Sequence, residues 1–145
     1  MRQEMIDAIW ALRNKSTSAY LSYVDNEGYP VTKAMLVLEH ESLGIQLFSI
    51  NTSSGKVSAI VNNPKVAVYY CEPGSFQGAL FVGDMSVCMD AETKELLWRE
   101  GFEQYYPQGV SDPDYCVLKL AAHRVSYYHG LQQTTFEIRD GEIQD

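Results

Sequence analysis

The chain opens on an amphipathic pattern. From Arg2 to Asn14, Met5, Ile6, Ile9, Leu12 and Arg13 recur at helical spacing with Trp10 beside them, and Lys15-Ser16-Thr17-Ser18 breaks the pattern. The β-branched and aromatic run Ala19 to Val24, the turn signal Asp25-Asn26-Glu27-Gly28 and the run Tyr29 to Glu39 predict a hairpin. In its second strand Val31, Lys33, Met35 and Val37 share one face, and Thr32, Ala34, Leu36 and Leu38 share the other. Both faces are mostly apolar, which predicts a strand covered on both sides. After the turn Glu41-Ser42-Leu43-Gly44 comes a third strand, Ile45 to Ile50. A short helix with Val57, Ile60 and Val61 on its apolar face follows and stops at Asn62-Asn63-Pro64. Val66 to Cys71 and Ala79 to Met89 read as strands four and five, joined through Glu72-Pro73-Gly74. Asp90 is a suitable N-cap for a helix to about Tyr105, with Glu92 in its first turn. A loop marked by Pro107, Gly109, Asp112 and Pro113 leads to strands Tyr115 to Ala121 and Arg124 to His129, with Thr134 to Arg139 as a last, weaker one. The sequence has no internal repeat and no linker, so residues 1–145 read as one domain. The element order predicts a mainly β (α+β) fold: a closed or partly open barrel of six or so short strands flanked by helices.

Composition narrows the function classes. With 46% hydrophobic residues in 145, a core forms without disulfides. The 11 basic and 19 acidic residues leave a net charge of −8, and Lys and Arg form no cluster. Nucleic-acid and anionic-membrane partners are therefore not expected. Cys71, Cys88 and Cys116 are odd in number, widely spaced and set in apolar stretches, which predicts buried thiols rather than a disulfide framework or a zinc site. The start Met1-Arg2-Gln3-Glu4 has no apolar signal region, and no apolar run reaches membrane-spanning length, so a cytoplasmic location is the expectation.

One stretch departs from this acidic background. Between Glu41 and Glu72 there is no Asp or Glu, and the interval holds Lys56, Lys65 and the junction Asn51-Thr52-Ser53-Ser54-Gly55-Lys56. A helix N-terminus leaves unpaired N–H groups and a partial positive charge. Hydroxyls at Thr52, Ser53 and Ser54, an open backbone at Gly55 and the charge of Lys56 suit a phosphate. The same residues also read as an ordinary helix cap with a solvated lysine. It is not a P-loop, because the first glycine and the spacing of that motif are missing. Lys33, in mid-strand, is either an edge residue in water or a cation that needs an anionic partner. If its strand lies beside the loop after the third strand, Lys33 and Lys56 converge on one anion. Other candidates are weaker. His40, His123 and His129 lack metal-ligand spacing. Trp98, Phe102, Tyr105 and Tyr106 lie at helical spacing as core or interface residues, or as a stacking surface for a ring, and Tyr127 and Tyr128 read alike.

Further motifs follow in order along the chain. Thr32-Lys33-Ala34-Met35-Leu36-Val37 precedes the run Phe48 to Val57, then Asn62-Asn63-Pro64-Lys65-Val66-Ala67-Val68 and Gly83-Asp84-Met85-Ser86-Val87. Lys94-Glu95-Leu96-Leu97-Trp98, Tyr106-Pro107-Gln108-Gly109 and the run Asp112 to Lys119 complete the series. From about Arg13 to Gly130 this resembles the pyridoxamine 5′-phosphate oxidase-like family, especially its general-stress-protein branch. The resemblance implies a six-stranded antiparallel split β-barrel (Greek key) that holds FMN between the protomers of a homodimer. By the same resemblance, Lys33, Ser53, Ser54 and Lys56 hold the FMN phosphate. Met35 and Leu36 run beside the isoalloxazine edge, Asn51 and Thr52 lie along the ribityl chain or ring, and Gln77 touches the flavin. Lys33 stands where the family usually has Arg, and a lysine cannot form the two-pronged contact of a guanidinium. The family's Arg-rich C-terminal substrate motif is missing, so vitamin B6 oxidation is not the expected activity. The expectation is a flavin-dependent oxidoreductase acting on a small-molecule substrate, with NADH or NADPH as donor. The alternative is a non-catalytic flavin-, haem- or deazaflavin-binding stress or sensor protein.

Overall fold

The computed structural model of the chain describes residues 2–38 and 42–144. The predicted end of the second strand at Glu39, His40 and the turn residue Glu41 lie outside the described residues. Helix α1 spans Arg2–Lys15, with Glu4 in its first turn and Arg13 and Lys15 in its last, each suited to the helix dipole. It buries Ile9, Leu12 and Arg13. Strands β1 (Ser18–Val24) and β2 (Pro30–Leu36) form the predicted hairpin. Gly28 turns it at φ 89°, and the Asp25 carboxylate accepts from the N–H groups of Glu27 and Tyr29 at 3.0 and 2.9 Å.

The chain continues through β3 (Ile45–Asn51), α2 (Gly55–Asn62), β4 (Lys65–Glu72), β5 (Gln77–Cys88) and α3 (Ala91–Leu97). It ends with β6 (Tyr115–His129), β7 (Gln132–Arg139) and β8 (Glu142–Ile143). Neighbouring strands run antiparallel in the order β2-β1-β4-β5-β6. The far edge of β6 is shared: β3 pairs with Tyr115 to Ala121, and β7 pairs with Arg124 to His129. β2 approaches β3 across a seam where the described strands form no ladder. The class is the expected α+β split barrel, but the described residues form eight strands rather than six.

The core follows from register. Leu21, Val68, Phe81, Val125 and Phe136 stand opposite one another on successive strands. All are buried, and each such side chain contributes about 1.5–3 kcal/mol of hydrophobic stabilisation. The next residue in this row is Lys33, opposite Leu21 on the edge strand β2.

Four expectations are corrected. Strand β2 is not covered on both sides: Thr32, Lys33, Ala34 and Leu36 are exposed, because among the described residues β2 has a ladder partner on one edge only. The helix after Asp90 ends at Leu97 instead of near Tyr105. The Asp90 cap forms as expected, accepting from Thr93 N–H at 3.0 Å, but Trp98 turns extended and Gly101 adopts φ 98°. Trp98, Phe102 and Tyr106 still pack together, around Tyr115, while Tyr105 is exposed. The two strands predicted between Tyr115 and His129 are one, kinked by a bulge that places His123 outside the register with β5. Of the cysteines only Cys116 is buried, and Cys71 and Cys88 are half-buried.

A buried polar pair crosses the core. Tyr70 donates its hydroxyl to Gln46 Oε1 at 2.6 Å, and Gln46 Nε2 donates to the Leu43 carbonyl at 2.8 Å. Burial pushes the Tyr70 phenol up to about 12, with Arg13 pulling the other way. Tyr70→Phe strands the Gln46 oxygen without a partner and is expected to cost about 1–3 kcal/mol in urea denaturation. An unchanged midpoint would show that the pair contributes nothing to stability. No helix among the described residues is long and apolar enough to cross a membrane.

Candidate functional site

The β3-to-α2 junction leaves the sheet at Asn51 and turns through Thr52, Ser53 and Ser54. Ser54 is the N-cap: its backbone is extended (φ −63°, ψ 138°) and its Oγ accepts from Lys56 N–H at 3.2 Å. Asn51 Nδ2 donates to Ser53 Oγ at 3.0 Å. Asp114, just before β6, braces the turn twice. Its carbonyl accepts from Thr52 N–H at 2.6 Å, and its Oδ1 accepts from Ser53 N–H at 2.8 Å. The first turn of α2 has no acidic residue, and among the described residues nothing beyond the chain neighbours and the helix's own backbone lies within 4 Å of the position a Cβ would take at Gly55. The backbone at Gly55, at the dipole-positive start of α2, is therefore open to close approach.

The β1–β2 turn is tied to α2. Asn62 Nδ2 donates to Asn26 Oδ1 at 2.9 Å, and Asn26 Nδ2 donates to Ser58 Oγ at 3.4 Å. This tie holds the β1–β2 turn against the C-terminal half of α2. The ammonium of Lys56 is held below its usual 10.5, first by desolvation and then by the charge of Lys33. Among the described residues neither lysine has a carboxylate partner. Neighbouring cations without a carboxylate partner, near the start of α2 on an acidic protein, are suited to an anion.

The structure brings Lys33, Ser53, Ser54 and Lys56 into one region, with Asn51 and Thr52 in the same turn. The Thr52 hydroxyl is buried beside the Cys116 thiol, with no nitrogen or oxygen partner among the described residues. Met35 is buried in the core, while Leu36 is 58% exposed and lines a cleft of about 1130 Å³. Trp10, Arg13, Leu47, Leu97 and Arg99 share that cleft. Gln77 is engaged elsewhere, at the β4–β5 hairpin. It accepts from the Tyr127 hydroxyl at 2.7 Å and donates to Ser75 Oγ at 2.8 Å. Glu72 joins that group and pairs with Lys15 at 2.7 Å, so none of the Gln77 partners belongs to the lysine pair. Among the described residues no group of His, Cys, Asp or Glu has the arrangement of a metal site. Sequence reasoning missed Asp114 and the cleft. Asp114 entered the sequence reading only within the family-motif run Asp112 to Lys119, with no role given to it, since its contacts go to distant backbone.

Residues 4–140 match the model of the family described as pyridoxamine 5′-phosphate oxidase like. No curated protein matches the sequence. A protein from Clostridium acetobutylicum related to general stress protein 26 of B. subtilis (pyridoxinephosphate oxidase family) is 34% identical, with a TM-score of 0.83 over 95% of this chain and 96% of that one. A pyridoxamine 5′-phosphate oxidase-related, FMN binding protein from Nostoc punctiforme superposes with a TM-score of 0.68 at 15% identity, over 98% of this chain and 94% of that one. A heme binding protein from Mycobacterium smegmatis gives 0.69 at 14% identity, over 90% of this chain and 57% of that one. At these identities the last two speak for the fold alone.

Proposed function

Because the chain belongs to the pyridoxamine 5′-phosphate oxidase-like family, we propose that it binds FMN, with the flavin phosphate held between Lys33, Lys56 and the Ser53-Ser54 turn, and that it serves as a flavin-dependent oxidoreductase. The observation that carries this reading is the Ser54-capped start of α2, with Gly55 open to close approach, Lys56 in the first turn and the charge of Lys33 felt at Lys56. A phosphate dianion there replaces like-charge repulsion with two attractive contacts, so the residues present fit the group. Lys33 and Lys56 act as point charges and Ser54 orders the first turn of α2. Bound FMN supplies the two-electron redox chemistry, with a nicotinamide as donor and a small molecule as acceptor.

A homodimer belongs to the same proposal. The outer face of the sheet carries Tyr20, Ala34, Tyr69 and Leu80 in one cross-strand row, with Leu36 at its margin. Leu36 and Tyr20 are 58% and 41% exposed, an apolar surface suited to a second copy of the chain. A haem-binding role is the second reading: a heme binding protein shares the fold, and the observation that favours the role is His129 beside Tyr127 at the rim of a small cleft. The lysine pair favours a phosphate ligand over it.

The deciding test is the visible spectrum of the purified protein with and without added FMN, with its mass by light scattering. Flavin bands and a mass of two chains are expected. A colourless protein that FMN does not reconstitute overturns the flavin reading, a Soret band moves the assignment to haem, and a mass of one chain overturns the interface model.

Affinity also carries a pH signature. In the free protein Lys56 sits below 10.5, and a bound dianion raises it again. Binding therefore takes up a proton between the two values, and affinity falls as pH rises through that alkaline window. Lys56→Arg, which stays charged, is expected to flatten this part of the FMN affinity profile. Equal slopes in the two proteins would remove Lys56 from the site.

A further inference from the structure

The turn that carries Ser53 and Ser54 is closed from within by Ser54 N–H to the Asn51 carbonyl and Asn51 Nδ2 to Ser53 Oγ, both at 3.0 Å, and is braced from outside. Its first two N–H groups are taken by one residue from elsewhere in the chain, Asp114, through its carbonyl at 2.6 Å and its Oδ1 at 2.8 Å. Asp114 is itself held. Asp112 Oδ1 accepts from Asp114 N–H at 2.9 Å, and Asp112 Oδ2 accepts from Gln108 N–H at 3.1 Å. These two backbone donors hold the Asp112 carboxyl below the usual carboxylate range. The Asp112 carbonyl accepts in turn from the buried Lys94 ammonium at 3.2 Å, whose charge lies 5.5 Å from the centre of the Tyr115 ring. A continuous polar relay thus runs from α3, through the turn before β6, to the turn before α2.

An aspartate is a costly choice beside an anion site, since its charge repels the ligand. Its use is geometric: the carboxylate fixes Ser53 N–H and so sets where the Ser54 cap and the start of α2 point. We infer that Asp114 is a positioning residue for the anion site, ordering the Thr52-Ser53-Ser54 turn so that the α2 N-terminus and Lys56 meet a phosphate group. This inference rests on the proposed flavin site. It predicts that the hydrogen-bond acceptor matters and the charge does not.

The test compares FMN with riboflavin, which lacks the phosphate, by fluorescence quenching in the wild-type protein, Asp114→Ala and Asp114→Asn. Asp114→Ala is expected to weaken FMN by about tenfold or more and to leave riboflavin within about twofold. Asp114→Asn keeps an acceptor oxygen and sheds the charge, so it is expected to bind FMN at least as tightly as the wild type. If Asp114→Ala does not fold, Asp114→Glu, with its carboxylate one methylene further out, takes its place with the same expectation. Unchanged FMN affinity in Asp114→Ala, an equal loss for riboflavin, or a loss in Asp114→Asn as large as in Asp114→Ala overturns the inference and leaves the flavin site standing. A wild-type protein that binds neither ligand overturns the flavin site and this inference with it.

Discussion

Removing both lysines, Lys33→Ala with Lys56→Ala, is expected to weaken FMN binding by about 3–6 kcal/mol, more than the two single variants added together. Each lysine's contact is worth about 1.5–3 kcal/mol before their mutual repulsion in the complex is counted, so each single variant is expected to lose less than that. The two lysines already feel each other in the free protein, where desolvation and the charge of Lys33 hold Lys56 below its ordinary value. Binding draws two like charges together around the phosphate, and part of the attraction offsets their repulsion. A single variant loses one attraction but also escapes that repulsion, so its loss is cushioned, whereas the double variant loses both attractions. The same logic fixes the sign for stability. Neither single substitution should lower the melting temperature of the ligand-free protein, because each removes a like-charge neighbour. Isothermal titration of the four proteins with FMN and with riboflavin reads both effects. A double variant that keeps FMN affinity within about twofold of the wild type would remove the pair from the site. Lys33→Arg, which restores the two-pronged contact to phosphate, is expected to bind FMN more tightly.

The parts of this fold that were legible in sequence are those that local chemistry decides. Helix α1 follows from its apolar spacing, the β1–β2 turn from Asp25 and Gly28, and the start of α2 from the Ser54 cap. Where tertiary contact overrides local pattern, the reading failed. The spacing of Trp98, Phe102 and Tyr106 looks helical, but these rings gather because each reaches Tyr115, with Trp98 at 5.1 Å and Tyr106 at 4.9 Å between ring centres. Ala121 to Arg124 reads as a gap between strands because one extra residue, His123, breaks the alternation that marks a strand. Strand β2 looks buried because its outward positions are apolar, yet within one chain they are bare. Sequence hydrophobicity counts a covering surface whether it comes from the same chain or another.

The candidate site divides along the same line. Each lysine and serine is readable as a type of residue in a type of place, but their convergence is legible only as a condition on how β2 lies beside the β3–α2 junction, or through the family resemblance. Asp114 is less legible still, because its partners are the backbone N–H groups of Thr52 and Ser53, which leave no trace in residue type.

Gly83→Ala is expected to be the most damaging single substitution to stability, costing about 3 kcal/mol or more and lowering the melting temperature by roughly 10 °C. Gly83 sits on β5 at the bulge, opposite Ala122, where the two strands shift register. A Cβ there would lie 2.1 Å from the Ala121 carbonyl oxygen and 2.6 Å from Ala122 Cα. Both neighbours are backbone, held in the longest ladder of the sheet, so neither can swing aside as a side-chain tip would. Relief requires β5 and β6 to separate. That would disturb the core row through Phe81 and Val125 on one side of the bulge and the contact of Met85 with Leu120 on the other. The loss should therefore be cooperative. Gly74→Ala is the matched control: Gly74 has nothing within 4 Å of its would-be Cβ and no positive φ. There the substitution only restricts the unfolded chain, and a gain of about 0.4–1 kcal/mol is expected. Thermal denaturation of the two variants beside the wild type separates the cases. If Gly83→Ala melts with the wild type, the two strands do not approach as closely at the bulge as their register requires.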